Sequence, residues 1–180
     1  MLNYVEMLHN YRSLVAKVDE LCRGIHSEYG DSIFCREGCD SCCRHISLFP
    51  VEAVALAAAL HELSPEKSDQ IRKLAGAASA EACPLLNNGR CLLYEYRPII
   101  CRTHGLPLLT NREGEKALDF CPSNFKGIAS FTATAVLNLD ILNATLASIN
   151  AVFVTSFDES TPLPKERLSM ADALLLDLYS

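Results

Sequence analysis

The cysteines are the residues of this chain whose type and spacing predict chemistry. Eight of the nine lie in two blocks, the segment CREGCDSCC and a longer stretch from residue 83 to residue 121. Thiolates are soft, anionic ligands that select zinc, copper(I) or iron–sulfur clusters. The predicted metal ligands are therefore Cys35, Cys39, Cys42, Cys43, Cys83, Cys91, Cys101 and Cys121.

Disulfide bonds are the other common use of clustered cysteines. A secreted disulfide scaffold is usually short and has an even number of cysteines, whereas this chain has 180 residues and nine cysteines. Its N-terminal segment, MLNYVEMLHNYRS, lacks the basic start and the uninterrupted apolar run of a signal peptide. We therefore expect a cytoplasmic protein that uses its cysteines for metal.

The composition favours a single metal-binding domain over residues 1–180. Hydrophobic residues make up 49% of the chain, which is enough for a core that does not depend on metal alone. The net charge of −6 gives no overall attraction to nucleic acid or to an anionic membrane. The expected partner is a metal ion, and the sequence identifies no protein partner.

The apolar pattern predicts a mainly α fold, in which irregular cysteine-rich loops wrap around the metal site. The cysteine-rich core is expected over 35–125, with flanking helices within 1–30 and 128–180. The N-terminal helix has an apolar stripe at three- and four-residue steps, formed by Tyr4, Leu8, Tyr11, Val15, Val18, Cys22 and Ile25. Cys22 is interpreted as a packing residue of that stripe.

Two more helices are predicted over 51–62 and 65–80, since each follows a proline suited to a first turn. The segment 81–124 predicts short helices and loops, with a small hairpin near Asn87-Asn88-Gly89. The longest apolar stretch, 128–154, predicts one long helix. It contains Asp140, and an aspartate near a membrane centre costs about 2.5–3.5 kcal/mol, so no membrane span is expected.

The C-terminal part is expected to contain one last helix. The motif Thr161-Pro162-Leu163-Pro164 should break the chain after the long helix. The residues from 165 to 178 then predict a helix with Leu168, Leu175 and Leu178 on one side.

Basic and aromatic residues beside the cysteines are predicted to surround the ligands. Nearby cations favour a thiolate and lower its pKa, and guanidinium groups can donate hydrogen bonds to sulfur. His104 is placed in this surrounding shell because cysteines are already in surplus. The predicted surrounding residues are Arg36, Arg44, Arg97, Arg102, Tyr94 and His104.

The two cysteine blocks, in this order, resemble a known family. CREGCDSCC followed by CPLLNNGRCLLYEYRPIICRTHG is similar to the CxxxCxxCC loop and the CP…C…Y…RP..CR segment of the CxxCxxCC family of zinc- or iron-chelating domains. The resemblance implies a mainly helical metal-binding domain with iron or zinc. The matching positions are Cys35, Cys39, Cys42, Cys43, Cys83, Pro84, Cys91, Tyr94, Arg97, Pro98, Cys101 and Arg102.

Three functions stay open from the sequence. The first is a metal-binding protein that holds iron, an iron–sulfur cluster or zinc, with a structural, partner-binding or metal-handling role. The second is an iron–sulfur-dependent redox or transferase enzyme, and the third is a thiol-based redox sensor. Iron is expected ahead of zinc because Cys83 and Cys121 each precede a proline, as one ligand does in bacterial ferredoxins.

Overall fold

The structure, a computed structural model, describes residues 4–36, 38–79, 81–112, 114–156 and 166–178. Short 3₁₀ turns lie at Gly30–Ser32, Tyr94–Tyr96 and Ala133–Ala135. The α-helices within the described ranges are α1 (Tyr4–Met7), α2 (His9–Tyr29), α3 (Pro50–His61), α4 (Pro65–Gly76), α5 (Ile99–Thr103), α6 (Leu139–Thr155) and α7 (Met170–Leu175).

The β-strands of the described ranges are β1 (Ser47–Leu48), β2 (Leu86–Asn87), β3 (Arg90–Cys91), β4 (Leu108–Arg112), β5 (Glu115–Asp119), β6 (Leu137–Asn138) and β7 (Leu168–Ser169). They form three small sheets. In the largest sheet, β4 pairs antiparallel with β5 and parallel with β6. β2 pairs antiparallel with β3, and β1 pairs antiparallel with β7, which joins the C-terminal part to the start of α3.

Helix α3 is at the centre of the core because it is apolar on every side. On one face, Val51 and Val54 pack against α2 and α6. On the other face, Leu56 and Leu60 pack against α4 and α7. Apolar burial contributes about 25 cal/mol per Å², so this packing stabilises the helices independently of any metal.

A third apolar cluster packs the segment around Cys121 against the end of α2. The ring of Phe125 packs edge-on against the rings of Phe131, at a centroid distance of 5.0 Å, and Phe120, at 5.6 Å. Tyr29, the last residue of α2, lies 6.1 Å from the Phe125 ring. Pairs in this geometry add about 0.5–1.5 kcal/mol beyond the area that they bury.

A buried carboxylate joins the start of α3 to the start of α5. Glu52 is 3% exposed. Its Oε2 accepts the backbone N–H of Phe49 at 3.2 Å, and its Oε1 accepts the backbone N–H of Ile99 at 3.3 Å. Both N–H groups lie at helix starts, where the helix itself provides no acceptor. Because α5 carries Cys101, Glu52 fixes the position of a predicted metal ligand.

The mainly α fold predicted from the sequence is wrong, because three small sheets lie among the helices and make the fold mixed α/β. Most of these strands have two residues, which is too short to show a two-residue alternation. Strands β4 and β5 have five residues each, but neither face of the hairpin is buried. Because neither side of this hairpin is buried, its sequence does not show the alternation of apolar and polar residues that predicts a strand.

The long helix predicted over 128–154 is also wrong in its extent. Helix α6 begins at Leu139, where the side-chain oxygen of Asn138 accepts the backbone N–H of Ile141 at 3.0 Å and caps the helix. The residues before it form a 3₁₀ turn and β6 instead. No helix within the described ranges has the length and apolar character that a membrane crossing requires.

Other predicted elements are confirmed. Helices α2 and α3 match the predictions for the N-terminal stripe and for 51–62, and β2 and β3 form the hairpin expected near Asn87-Asn88-Gly89. Helix α4 ends at Gly76, a few residues before the expected end. Helix α7 is shorter than the helix expected over 165–178. The break expected at Thr161-Pro162-Leu163-Pro164 lies outside the described residues.

Replacing Glu52 with glutamine should destabilise the fold by about 1–3 kcal/mol, since the amide leaves one of two buried N–H groups without an acceptor. Urea unfolding followed by circular dichroism measures the change. The matched control is Glu20→Gln at an exposed position of α2, which should change the free energy of unfolding by about 0.5 kcal/mol at most.

The effect of Glu52 should also depend on pH. Burial raises the pKa of Glu52 above its ordinary value of 4.5, and hydrogen bonds from Phe49 and Ile99 oppose part of the shift. A carboxyl group whose pKa is raised by folding contributes most to the free energy of unfolding at a pH below its pKa in the unfolded state. That contribution is lost as the pH rises through its pKa in the folded state. The difference in free energy of unfolding between the wild type and E52Q should therefore become smaller as the pH rises above 4.5. A gap that widens would contradict this.

Candidate metal centre

The first cysteine block folds as a series of tight turns. The backbone N–H of Cys39 donates to the carbonyl of Arg36 at 2.9 Å, and that of Cys43 donates to the carbonyl of Asp40 at 2.8 Å. Gly38 has a φ of +90°, in the left-handed region that glycine adopts freely. Because the chain turns repeatedly within the block, its four thiols are divided between two groups of cysteines: Cys35 and Cys39 lie in one group, and Cys42 and Cys43 lie in the other.

This block lies against the turn of the β2–β3 hairpin. The N–H of Gly38 donates to the carbonyl of Gly89 at 3.3 Å, and a Cβ atom on Gly89 would lie 3.4 Å from the Cα of Gly38. Asn88 and Gly89 have φ values of 50° and 75°, as a two-residue type I′ turn requires. The contact brings Cys91, on β3, beside the first block.

Five thiols form one group, which we call the five-thiol group: Cys42, Cys43, Cys83, Cys91 and Cys101. Burial, and secondarily the charges of Cys42, Cys83 and Cys91, raise the pKa of Cys43 to about 11. Burial, and secondarily the charges of Cys83, Cys91 and Cys43, raise the pKa of Cys101 to about 12. The chain geometry agrees with this grouping, because an isolated β-bridge between Arg44 and Ala82 brings the segments of Cys43 and Cys83 together.

The remaining thiols form a second group, the three-thiol group, which consists of Cys35, Cys39 and Cys121. Burial raises the pKa of Cys35, the charges of Cys39 and Cys121 raise it further, and a hydrogen bond from Asn124 opposes these effects. Cys35 and Cys39 are exposed, whereas Cys121 is half-buried. Each group therefore combines thiols from both cysteine blocks.

Asn124 holds the three-thiol group together, and the sequence analysis missed it. Its side chain is buried, and its Nδ2 donates to the carbonyl of Gly105 at 2.9 Å and to the Sγ of Cys35 at 3.5 Å. Its Oδ1 accepts the backbone N–H of Phe34 at 2.9 Å. The one sequence signal is its position three residues after Cys121, whose carbonyl accepts the Asn124 N–H at 2.9 Å.

Gly105 allows these segments to approach one another. Its φ is +85°, and a Cβ atom there would lie 3.3 Å from the Nδ2 of Asn124 and from the Cβ of Cys121. The same Cβ would lie 3.4 Å from the Sγ of Cys35. A side chain at this position would therefore separate the cysteines of the three-thiol group.

Arg102 ties the second cysteine block to α2. Its Nη1 donates to both carboxylate oxygens of Asp19 at 2.7 and 2.8 Å. Its Nε donates to the carbonyl of Arg97 at 2.6 Å, and its Nη2 donates to the carbonyl of Glu95. The N–H groups of Arg102 thus donate to oxygen atoms and not to cysteine sulfur. This residue therefore positions the segment that carries Cys101.

Arg97 acts on the five-thiol group through its charge. Its guanidinium group lies 3.6 Å from the centroid of the Tyr94 ring, and its Nη1 donates to the carbonyl of Cys101 at 3.5 Å. Burial raises the pKa of Cys91 and of Cys101, and the positive charge of Arg97 opposes both shifts. The other predicted surrounding arginines, Arg36 and Arg44, are exposed, and Arg44 forms an isolated antiparallel β-bridge with Ala82.

His45 is a structural cross-link, since both of its ring nitrogens have partners. Its Nε2 accepts the backbone N–H of Ala171 at 3.3 Å, and its Nδ1 lies 3.1 Å from the carbonyl of Ser79. Neither nitrogen therefore has a lone pair left for a metal. His104 is exposed and borders a cavity between α2 and the segment 94–106.

Cys22 belongs to neither thiol group. It is half-buried among apolar side chains of α2 and its neighbours, as the sequence predicted. Its Sγ donates to the carbonyl of Arg102 at 3.6 Å. Burial raises the pKa of this thiol to about 11, so Cys22 acts as a packing residue.

Within the described ranges, no three Cys, His, Asp or Glu side chains are arranged so that they could hold a metal ion as they stand. Binding therefore requires the thiols of a group to turn toward a shared centre. The donor set fits a soft cation, because thiolates are the ligands that zinc and iron–sulfur clusters share. A cation would also favour the thiolate forms, which burial and neighbouring thiols disfavour here.

A cysteine-rich segment with these groups defines a metal-binding class of protein, and comparison with known families identifies it. Residues 34–122, about half of the chain, match the model of the CxxCxxCC family, described as a "putative zinc- or iron-chelating domain". The chain belongs to this family through that segment, which contains all the predicted ligands. The match confirms the resemblance and supports metal binding. A search of the curated proteins and a search of the solved structures each found no match to this chain.

Gly105→Ala should destabilise the protein more than the matched control Gly127→Ala. The two glycines have φ values of +85° and +83°, so both substitutions introduce similar backbone strain of about 1–3 kcal/mol. Only at Gly105 would the new Cβ meet other atoms within 4 Å. Scanning calorimetry should show a lower Tm for G105A than for G127A, and elemental analysis should show less bound metal. Equal effects would contradict the packing role of Gly105.

Proposed function

We propose that this chain is a metal-binding protein with two separate thiolate centres, one in each thiol group. The observation that carries the proposal is the division of the eight cysteines into the five-thiol and three-thiol groups. The Arg44–Ala82 bridge brings the segments of Cys43 and Cys83 together, whereas Cys35 and Cys121 both lie against the position of a Cβ on Gly105. Each group draws on both cysteine blocks, so metal at either centre would join them. Iron, alone or in an iron–sulfur cluster, is the preferred metal, and zinc is the alternative.

The five-thiol group supplies a closed centre. Cys43, Cys83, Cys91 and Cys101 are all half-buried and would provide a complete four-thiolate set, while Cys42 is more exposed. Four cysteines are the usual ligand set of structural zinc and of iron–sulfur clusters. This centre would order the turns and short strands of the cysteine-rich segment.

The three-thiol group supplies an open centre. Three protein ligands leave one coordination position for another molecule, as in metal sites that exchange ligands or perform reactions. The hydrogen bond from Asn124 to the sulfur of Cys35 orients this ligand and withdraws part of its charge. Metal handling is the role that this arrangement favours.

An iron–sulfur-dependent reaction is a second candidate function, because a cavity adjoins Cys35 of the open centre. A thiol-based redox sensor is less well supported. Reactive sensor thiols have a lowered pKa, whereas burial raises the pKa of Cys35, Cys43 and Cys101 in this chain.

Cys101→Ser and Cys121→Ser should each remove metal from one centre and leave the other occupied. Elemental analysis of anaerobically purified protein measures the metal per chain, and its absorption spectrum separates iron–sulfur from zinc. The matched control is Cys22→Ser, which should keep the wild-type metal content because Cys22 lies outside both groups. Wild-type content in both test variants, or complete loss in either one, would contradict two separate centres.

Removal of metal should loosen the cysteine-rich segments and leave the helical core protected. Helices α3 and α6 pack against each other and against α2 in a cluster that contains none of the eight predicted ligands, whereas the first block consists of turns that we expect to depend on bound metal for order. Hydrogen exchange on chelated protein should therefore increase over 38–45 and 83–105. Loss of protection in α3 and α6 as well would show that metal holds the whole fold.

A further inference from the structure

A cavity of about 270 Å³ lies beside the two thiol groups, and we call it the junction cavity. Its walls are formed by α2, by the segment 94–106 and by three residues from the loops around the three-thiol group, Ile33, Cys35 and Asn124. Cys35 belongs to the three-thiol group, and Cys101, in the opposite wall, belongs to the five-thiol group. A molecule in this cavity would therefore contact the ligand shells of both proposed centres.

We propose that the junction cavity binds a small molecule that carries a carboxylate group. The inference rests on the proposed function, since it places this molecule beside Cys35 of the open centre. Ligand pockets usually have volumes of about 300–1,000 Å³. The junction cavity lies just below that range, which restricts it to a small ligand.

The free charges of the cavity wall favour an anion. Arg102 and Asp19 neutralise each other through their ion pair. Within the described ranges, Arg23 has no ion pair or hydrogen bond from its side chain, and its charge reaches the thiol of Cys22. Arg97 uses Nε and Nη1 on backbone carbonyls, which leaves its Nη2 for a ligand.

The remaining acidic side chain of the wall is Glu95. Arg23 and Arg97 outnumber it, and His26 and His104 add two more nitrogen donors on the exposed side of the cavity. Apart from the thiols of Cys35 and Cys101, whose negative charge a bound metal ion would partly offset, the wall therefore has a surplus of positive charge in a chain whose net charge is −6. The cavity is therefore a local exception to the charge of the chain.

The shape of the donors favours a carboxylate over other anions. A guanidinium group presents parallel N–H donors that match the two oxygens of a carboxylate, and the guanidinium of Arg23 is fully available for such a pair. Ile33 and Leu106 form an apolar part of the wall. This surface suits the carbon skeleton of an organic acid better than it suits a fully hydrated inorganic anion.

Calorimetric titration of the metal-loaded full chain with malonate and with citrate tests the proposal. We expect saturable binding of at least one of them, weakened about tenfold or more in Arg23→Gln, which removes a charged hydrogen-bond partner. Lys17→Gln is the matched control, because it removes a positive charge from an exposed position of the same helix outside the cavity. Its affinity should equal that of the wild type.

The proposal is overturned if neither acid binds, or if R23Q and K17Q weaken binding equally. It is also overturned if inorganic phosphate binds and the carboxylates do not. The metal content of the same samples gives an independent reading. If metal occupies both centres but neither acid binds, the carboxylate proposal is refuted and the proposed function stands. If an acid binds in an Arg23-dependent way but the cysteine variants show that there are not two separate metal centres, the proposed function is refuted and the carboxylate site stands.

Discussion

The burial and crowding of the cysteine thiols are the constraint on which the organisation of this protein depends. Burial and neighbouring thiols together raise the pKa of Cys43 to about 11 and that of Cys101 to about 12. The protein must therefore hold these groups together against an unfavourable interaction whenever they ionise without a cation. Contacts that do not involve the cysteine side chains have to keep the cysteine-bearing segments in place.

Three polar contacts meet this requirement at three different places. Glu52 accepts N–H groups at the starts of α3 and α5. Arg102 binds Asp19 of α2 and the backbone of the segment before α5. Asn124 joins the loops around Cys35. Each of these side chains satisfies backbone or side-chain polar groups of two different segments, so the segments stay joined at these three points, while the turns between them are the parts that we expect metal to order.

The sequence was sufficient for the chemistry and for some of the helices. The cysteine spacing is a local property, and it predicted the family that the comparison confirms. Helix α3 was predicted because a continuous run of strong helix formers follows Pro50. The predicted ligand set and the surrounding arginines stay predictions.

The fold class and the division of the cysteines could not be predicted, because both depend on contacts between distant residues. Strand β6 exists because Leu137 pairs with Leu108 of β4 and packs beside Phe125. The apolar residues before α6 therefore serve a sheet and an aromatic cluster, although their sequence suggests a helix. Likewise, the separation of Cys39 from Cys43 follows from turns within the first block and from docking on Gly89.

The two thiol groups differ in access to solvent, and this difference bears on what each can do. In the three-thiol group Cys35 and Cys39 are exposed and Cys121 is half-buried, whereas in the five-thiol group Cys42 alone is exposed and the other four thiols are half-buried. In the proposed function, a metal in the five-thiol group would be surrounded by protein sulfur and shielded from exchange. Any exchange of metal or ligand would then take place at the three-thiol group, where the junction cavity provides room beside Cys35.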